Sequence, residues 1–185
     1  MAKTESTMLP LGTPAPDFQL PDTVSGRLVG LDEVAGSQAT LVMFICNHCP
    51  FVKHILAELV KLGEDYALPE VGIVAISSND VTGYPQDRPE RMKELAETRG
   101  FRFPYLYDES QTTARAYDAA CTPDFYVFDG ERQLAYRGQL DDSRPNNGIA
   151  VTGSDVRAAI NALRSGRPVD AEQRPSIGCN IKWRG

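Results

Sequence analysis

Short runs of apolar residues alternate with segments of helical periodicity through the middle of this chain. The apolar run at 39–45 is followed, after Cys49, by apolar residues spaced three or four positions apart as far as Gly63. This pattern predicts a buried strand that leads into an amphipathic helix. The run from Val71 to Ile76 predicts a second buried strand. The order strand, helix, strand is typical of parallel strands, which need a crossover connection.

The second half of the chain continues this alternation. The pattern predicts three further helices, at 89–98, 112–120 and 154–163, and three further strands, at 103–107, 125–128 and 134–139. Asp129-Gly130 between the last two strands predicts a hairpin turn. The Gly- and Pro-punctuated segment at 11–34 contains only short extended pieces, at 18–20 and 27–29. The predicted fold class is therefore α/β, with a mixed sheet of parallel strands and an antiparallel hairpin.

Length and composition predict the domain organisation. A chain of 185 residues with 42% hydrophobic and 24% charged residues fits one domain spanning residues 1–185. Residues 1–10 form a polar segment that predicts a loose N-terminus. The tail at 165–185 carries Ile177, Ile181 and Trp183, and these apolar residues favour docking of the tail on the body of the domain.

Charge and cysteine content narrow the classes of partner. The net charge of −6 and the absence of a Lys/Arg run argue against nucleic acid and membrane surfaces as partners. The N-terminus lacks the apolar core of a secretion signal, and no apolar run reaches the roughly 18 residues that span a bilayer. We therefore expect a cytoplasmic protein. In a reducing cytosol, its four cysteines are expected to be redox or metal residues rather than structural disulfides.

The segment Cys46-Asn47-His48-Cys49-Pro50 carries the candidate chemistry. It lies where the first buried strand meets the first helix, and so it places two thiols at a helix N-terminus. The positive end of the helix dipole favours a thiolate there, which is the species that attacks a disulfide. We expect Cys46 to be the more exposed and more ionised of the two. A second thiol one turn away can then close a disulfide.

Three segments match motifs that occur together in one group of proteins. They are 11–20 (LGTPAPDFQL), the Cys46–Pro50 segment and 121–129 (CTPDFYVFD). With these motifs the chain resembles the thioredoxin superfamily and, within it, the thioredoxin-like branch of the peroxiredoxin (AhpC/TSA) group. The resemblance covers almost the whole chain. It implies a thioredoxin-like α/β fold, with a central mixed sheet flanked by helices and an N-terminal extension.

The resemblance also assigns roles to the two thiols. In the superfamily the first thiol attacks the substrate disulfide and the second resolves the mixed disulfide, which implies these roles for Cys46 and Cys49. Asn47, His48 and Pro50 are candidates for tuning the site. A cationic His48 beside a thiolate would stabilise the reduced pair and raise its reduction potential.

Thr122-Pro123 matches the position of the superfamily's cis-proline. A cis bond there would leave a neighbouring backbone edge free to pair with an extended substrate segment. The resemblance therefore makes Thr122 and Pro123 substrate-binding candidates.

Two departures from the family patterns affect the expected chemistry. A peroxiredoxin carries a Thr three residues before its peroxidatic Cys and an Arg near a later strand. If Cys49-Pro50 is aligned with the peroxidatic Cys-Pro, Cys46 takes the Thr position and Pro123 falls close to the Arg position. This disfavours peroxide activation. Thioredoxin's buried acid and Trp are also missing before Cys46, which leaves proton transfer without an assigned residue.

The sequence therefore predicts a thiol–disulfide oxidoreductase that acts through Cys46 and Cys49. Its partners are disulfide-containing proteins or small thiol substrates and a separate electron donor, and it needs no organic cofactor and no metal. A thiol-dependent peroxidase is the alternative within enzymes. A non-catalytic metal-binding or interaction module is the alternative from another class.

The remaining cysteines and histidines leave further alternatives open. A zinc site at the dithiol would draw ligands from Cys121, Cys179, His48 and His54, although the chain has no second Cys-x-x-Cys pair. Cys121 is either a third redox thiol facing the dithiol or a small core residue, and core packing is favoured. Nothing in the sequence supports a redox role for Cys179.

Overall fold

The computed structural model describes residues 3–185, which form three sheets and five α-helices. In chain order the elements are β1 (Lys3–Glu5), β2 (Gln19–Pro21), β3 (Leu28–Gly30), α1 (Leu31–Val34), β4 (Ala39–Phe44), α2 (Pro50–Asp65), β5 (Val71–Ser77), a short 3-10 helix (Pro85–Asp87), α3 (Pro89–Arg99), β6 (Tyr105–Tyr107), α4 (Thr112–Ala116), β7 (Cys121–Thr122), β8 (Asp124–Asp129), β9 (Leu134–Gly138), α5 (Ser154–Arg164) and β10 (Ile177–Asn180).

The central sheet has the strand order β6-β5-β4-β8-β9. β4, β5 and β6 are parallel, whereas β8 is antiparallel to β4 and β9 is antiparallel to β8. Every residue of β4 and β5 is buried, which explains why both strands are continuous apolar runs in the sequence. The predicted α/β fold with a mixed central sheet is confirmed.

Two hydrophobic cores lie on opposite faces of this sheet, because successive side chains of a strand point to opposite sides. Leu41 and Met43 of β4 pack with buried residues of α2, α3 and α5. Val42 and Phe44 pack on the other face with α1, α4 and the β2–β3 hairpin. Among residues 3–185, no helix combines the length and the apolar character needed to cross a membrane.

Two predicted elements are shorter in the structure for local reasons. The predicted strand at 103–107 begins at Tyr105, since the preceding Pro104 has no N–H to donate to a ladder. The predicted helix at 112–120 ends at Ala116. Asp118 follows with a φ of 50°, in the left-handed region, and cannot continue a right-handed helix.

A second sheet, β1-β10-β7, joins the two ends of the chain. The hydrophobic pattern of the sequence does not predict it. β10 pairs antiparallel with β1, Lys3 opposite Cys179, and with β7, Cys179 opposite Thr122. The prediction of a loose N-terminus over 1–10 is therefore wrong for Lys3–Glu5, whose backbone is held by β10. The part of that prediction that concerns residues 1 and 2 lies outside the described residues.

Asp124 is a carboxylic acid buried at the start of β8. Its side chain accepts hydrogen bonds from the Tyr126 hydroxyl at 3.0 Å and from the Phe125 N–H at 3.1 Å, and the residue is 0% exposed. Burial raises the pKa of Asp124 to about 8, although these two hydrogen bonds lower it. Asp124 therefore keeps its proton near neutral pH in the folded chain.

We predict that Asp124 makes the fold less stable as the pH rises. An unfolded Asp has a pKa near 3.9, whereas the pKa of Asp124 is about 8 in the folded chain. Between these values only the unfolded state loses its proton, so the free energy of unfolding falls with increasing pH. Asp124→Asn removes this slope and, at about pH 9, is more stable than wild type by on the order of a few kcal/mol.

Urea unfolding under reducing conditions at several pH values measures this effect. The difference between variant and wild type should shrink toward about pH 4, where both acids are neutral. Glu64→Gln, which neutralises an exposed carboxylate, is the control and should follow the wild type. An Asp124→Asn protein with the wild-type slope would contradict the prediction.

Candidate redox site

The Cys-x-x-Cys segment lies between the end of β4 and the start of α2. β4 ends at Phe44, Cys49 is the N-cap of α2, and Pro50 occupies the first turn. Proline is tolerated there because a first-turn N–H has no partner within the helix. Cys46 lies in the loop, three residues before the N-cap. The helix therefore begins at the second thiol and not at the first.

All four cysteines are free and buried, and three of them form one cluster. The Cys46 and Cys49 thiols lie close enough for each to shift the pKa of the other. The sulfur of Cys49 lies 2.8 Å from the sulfur of Cys179 and 3.2 Å from the carbonyl oxygen of Thr122. The sulfur of Cys46 lies 3.4 Å from the Thr122 hydroxyl. The structure thus adds Cys179, which the sequence did not support as a redox residue, to the predicted pair.

The expected exposure of Cys46 is wrong in this structure. Cys46 is 1% exposed and Cys49 is 0% exposed. The Cys46 sulfur lies beneath the Thr122 hydroxyl and 3.9 Å from Nδ1 of His48. Neither sulfur of the pair is open to solvent, so a substrate can reach them only after a local opening.

The negative charge of the reduced pair is favoured at Cys49. The hydrogen bond from Cys46 lowers the pKa of Cys49 to about 5, helped by hydrogen bonds from Cys179 and from the main chain of Val52 and opposed by burial. At Cys46 the same hydrogen bond, burial and the charge of Asp87 raise the pKa well above its ordinary value. These directions favour Cys49, and not Cys46 as expected, as the ionised thiol of the reduced state. The unpaired backbone N–H groups at the start of α2 lie next to Cys49, and not next to Cys46.

Asp87 is a buried carboxylate that holds the loop between the two thiols. It accepts hydrogen bonds from the backbone N–H of Asn47 at 2.8 Å and of His48 at 3.2 Å. It also accepts them from Nδ1 of His48 at 2.6 Å and from Nδ2 of Asn79 at 2.8 Å. Burial raises the pKa of Asp87, but hydrogen bonds to His48, Asn79 and Asn47 outweigh it, and the net pKa is lowered. Asp87 is therefore a fixed negative charge beside the dithiol.

The contact with Asp87 changes the role expected of His48. Because a carboxylate only accepts hydrogen bonds, the Nδ1 proton of His48 points to Asp87 and not to the Cys46 sulfur. The imidazole also stacks on Tyr84, with ring centroids 5.0 Å apart. A positive charge on His48 would first be neutralised by Asp87. The structure therefore does not bear out the expected stabilisation of a Cys46 thiolate by His48.

The sequence did not single out Asp87. It lies in the polar loop that follows β5, and the ends of the neighbouring parallel strands β4 and β5 meet at one edge of the sheet. Ligand-contacting residues often lie at that edge. The position of this loop after a buried parallel strand is the signal that could have found Asp87.

Thr122 lies against the dithiol, and its peptide bond to Pro123 is cis, as the resemblance implied. The backbone edge at Thr122 is not free, however. β7 pairs with β10 through Thr122 and Cys179, and the Ser176 hydroxyl donates to the Pro123 carbonyl at 2.5 Å. The expectation of a free edge for substrates is wrong in this structure, because the chain's own C-terminal strand occupies that edge.

The other predicted residues lie near the cluster without joining it. The side chain of Asn47 accepts a hydrogen bond from the Tyr105 hydroxyl at 3.0 Å, and Pro50 is exposed at the helix start. Cys121 is fully buried, its sulfur lies 3.7 Å from the Pro123 carbonyl, and burial raises its pKa. These contacts favour core packing for Cys121. His54 is half-buried on α2.

Cys46, His48 and Asp87 also form a group with metal-binding potential. Their ligand atoms all lie within 4.8 Å of one another. A thiolate, an imidazole nitrogen and a carboxylate oxygen are all ligands that zinc accepts. Of the further ligands that the sequence suggested, only His48 belongs to this group.

Comparison with known proteins points to one family and to two similar structures. The profile of the AhpC/TSA family matches residues 11–137. An uncharacterized conserved protein from Geobacillus kaustophilus is 59% identical over 100% of this chain and 97% of its own, with a TM-score of 0.97. A hypothetical protein from Sinorhizobium meliloti 1021 is 50% identical over 98% of this chain and 99% of its own, with a TM-score of 0.95.

A more distant structure shares the fold alone. It is a thiol:disulfide interchange protein of the thioredoxin family from Chlorobium tepidum TLS, 17% identical over 84% of this chain and 98% of its own, with a TM-score of 0.63. No protein of curated function matches the chain.

We predict that the reduced protein contains a thiolate with an apparent pKa of about 5 and that this thiolate is Cys49. Cys49→Ser removes it. Cys46→Ala raises its pKa, because the hydrogen bond from Cys46 makes the largest contribution to lowering it. Ultraviolet thiolate absorbance during a pH titration measures both effects. Cys121→Ser is the control and should titrate like the wild type. A low-pKa thiolate that persists in Cys49→Ser would place the charge on another sulfur.

Proposed function

The chain belongs to the AhpC/TSA family of thiol redox proteins, and we propose that within this family it is a thiol–disulfide oxidoreductase that uses Cys46 and Cys49. One observation carries the proposal. Two neighbouring thiols lie in one buried cluster, one of them at the N-cap of α2, and their pKa values are shifted in opposite directions. Such a pair holds one proton and one negative charge, which suits two consecutive exchange steps.

In the first step Cys46 attacks a substrate disulfide while its proton passes to the neighbouring Cys49 thiolate. The substrate S–S bond breaks, a mixed disulfide forms at Cys46, and the first substrate thiolate leaves with the proton that Cys49 had received. Cys49 therefore accepts the proton in this mechanism. Thioredoxin's buried acid, which could accept it, is missing before Cys46.

In the second step the Cys49 thiolate attacks the Cys46 sulfur of the mixed disulfide. The second substrate sulfur leaves as a thiolate and takes a proton from water, and the Cys46–Cys49 disulfide remains. The substrate gains two electrons and two protons. A separate electron donor then reduces the protein disulfide.

Substrate access differs between the two sulfurs. Cys49 lies beneath β10, which is paired on both sides, whereas Cys46 lies beside Asn47 and His48, which are only half-buried. A movement of His48 and Tyr84 requires no strand to leave its sheet. This difference supports Cys46 as the residue that meets the substrate and Cys49 as the residue that resolves it.

Substitution of each thiol tests these roles in a dithiol-coupled insulin reduction assay. We predict that Cys46→Ser reduces insulin no faster than the buffer blank, because no mixed disulfide with a protein substrate forms at position 46 and Cys49 lies beneath β10. Cys49→Ser should accumulate a mixed disulfide at Cys46, which non-reducing electrophoresis and peptide mass spectrometry detect. Cys121→Ser is the matched control and should keep the wild-type rate. Full activity in Cys46→Ser would overturn the assignment.

A thiol-dependent peroxidase is the weaker enzymatic alternative. In the part of the chain that the structure describes, the hydrogen bonds of the Cys46 and Cys49 sulfurs involve thiols, Thr122 and His48, and no arginine. Among residues 3–185, the hydrogen bonds of the two sulfurs thus give no arginine to polarise a peroxide. Stopped-flow consumption of hydrogen peroxide by the reduced protein distinguishes the two activities, and a fast second-order phase would favour the peroxidase.

Metal binding is the alternative from another class, and the grouping of Cys46, His48 and Asp87 favours it. Metal analysis of protein purified without oxygen tests this alternative. A stoichiometric metal that is lost in both Cys46→Ser and Asp87→Asn would support a metal-holding function.

A further inference from the structure

We propose that Cys179 is a third redox thiol, which attacks the Cys46–Cys49 disulfide to form a Cys49–Cys179 disulfide and release Cys46. The proposal rests on the dithiol activity proposed above and adds one catalytic residue to it. The sulfurs of Cys49 and Cys179 lie 2.8 Å apart. A disulfide bond is about 2.05 Å long, so a shift of less than about 1 Å brings the two atoms to bonding distance.

The strand that carries Cys179 is held closely against the site. β10 pairs with β1 on one side and with β7 on the other. Gly178 permits this approach, because a Cβ at this position would clash with the carbonyl oxygen of Thr122. The Ser176 hydroxyl also donates to the Pro123 carbonyl. β10 thus lies closer to Thr122 than it could if residue 178 carried a side chain.

The chain that follows Cys179 is anchored as well. The N–H of Ile181 donates to the carbonyl of Ala120 at 3.0 Å. The N–H of Lys182 donates to the side-chain oxygen of Asn79 at 2.9 Å, and the N–H of Asp80 donates to the carbonyl of Lys182 at 2.8 Å. Cys179 is therefore fixed from both sides, and its sulfur is positioned before any reaction begins.

The electrostatics of the oxidised state favour this exchange. In the reduced chain, burial, the hydrogen bond with Cys49 and the charge of Cys49 raise the pKa of Cys179 to about 12. When the Cys46–Cys49 disulfide forms, Cys49 loses its negative charge. It also no longer accepts a hydrogen bond from the Cys179 thiol. Cys179 therefore ionises more readily in the state in which it is required to attack.

The exchange balances without an external oxidant. The Cys179 thiolate attacks the sulfur of Cys49, the bond between Cys49 and Cys46 breaks, and the bond between Cys49 and Cys179 forms. Cys46 leaves as a thiolate and takes up the proton that Cys179 released. The number of disulfides in the chain stays at one.

The two disulfides have different consequences for the site. The Cys46–Cys49 disulfide occupies both members of the predicted pair and leaves β10 attached only by noncovalent contacts. The Cys49–Cys179 disulfide would tie β10 covalently across the start of α2 while Cys46 regains its thiol. Cys179 lies outside residues 11–137, which the family profile matches, so this function belongs to the C-terminal tail of the chain.

Disulfide mapping of the full chain tests the proposal. Wild type and variants are equilibrated with mixtures of oxidised and reduced glutathione, quenched with acid, alkylated and digested for peptide mass spectrometry. We expect both Cys46–Cys49 and Cys49–Cys179 in the wild type. Cys46→Ser should form only Cys49–Cys179, and Cys179→Ser only Cys46–Cys49. Cys121→Ser, a buried cysteine on the neighbouring strand, should match the wild type.

A glycine substitution tests the role of the strand position without changing a thiol. Gly178→Ala must displace β10 from Thr122, and it should lower the ratio of Cys49–Cys179 to Cys46–Cys49 several-fold. Gly185→Ala is the control in the same tail, because a Cβ there meets no atom within 4 Å. An unchanged ratio in Gly178→Ala would contradict the positioning argument.

The outcomes separate this proposal from the dithiol activity. If the wild type forms Cys46–Cys49 and reduces insulin while Cys46→Ser forms no disulfide at all, the role of Cys179 is overturned and the activity of the pair stands. If no Cys46–Cys49 disulfide forms in the wild type and insulin is not reduced, the dithiol activity itself fails and the exchange proposed here fails with it.

Discussion

The site depends on where the first turn of α2 begins. Cys49 occupies the N-cap of that helix, and hydrogen bonds from Cys46, Cys179 and the main chain of Val52 converge on its sulfur. The lowered pKa favours a negative charge at Cys49, whose sulfur lies 2.8 Å from that of Cys179. The pKa of Cys49 depends on both neighbouring thiols, and the pKa values of Cys46 and Cys179 each depend on Cys49.

A second buried charge lies on the other side of Cys46. Asp87 is kept ionised by four hydrogen bonds, and its charge raises the pKa of Cys46. Cys46 thus lies between two negative groups and keeps its proton in the reduced state. His48 does not change this balance, since its Nδ1 proton is committed to Asp87. In the proposed mechanism, proton transfer from Cys46 to Cys49 is therefore the step that would make Cys46 nucleophilic.

The resemblance to thioredoxin-like proteins predicted the residues of the site better than it predicted their environment. The pair Cys46 and Cys49, and the cis bond before Pro123, were named from three short motifs. The position of Cys46 near a helix start implied an exposed thiol, and the resemblance implied a free edge at Thr122; both expectations are wrong. A motif specifies residues that are close along the chain, whereas exposure depends on whatever distant segment packs over them.

The amino-acid sequence by itself determined the local elements. The apolar runs that became β4 and β5, and the helical spacing that became α2, were legible because burial on both faces of a sheet or on one face of a helix leaves a periodic pattern. The strands β1, β7 and β10 left no such pattern. They have two to four residues each and are held mainly by backbone pairing, which does not depend on side-chain periodicity.

Only the tertiary structure decided which charges and thiols meet. Asp87 and Cys179 lie 41 and 133 positions beyond Cys46 along the chain (87 − 46 and 179 − 46), yet Asp87 raises its pKa and Cys179 contacts its partner sulfur. Electrostatic and hydrogen-bond energies depend on distance in space, and a polar loop or a short backbone-paired strand carries no sequence pattern that specifies that distance. The lowering of the Cys49 pKa therefore follows from the fold and not from the motif.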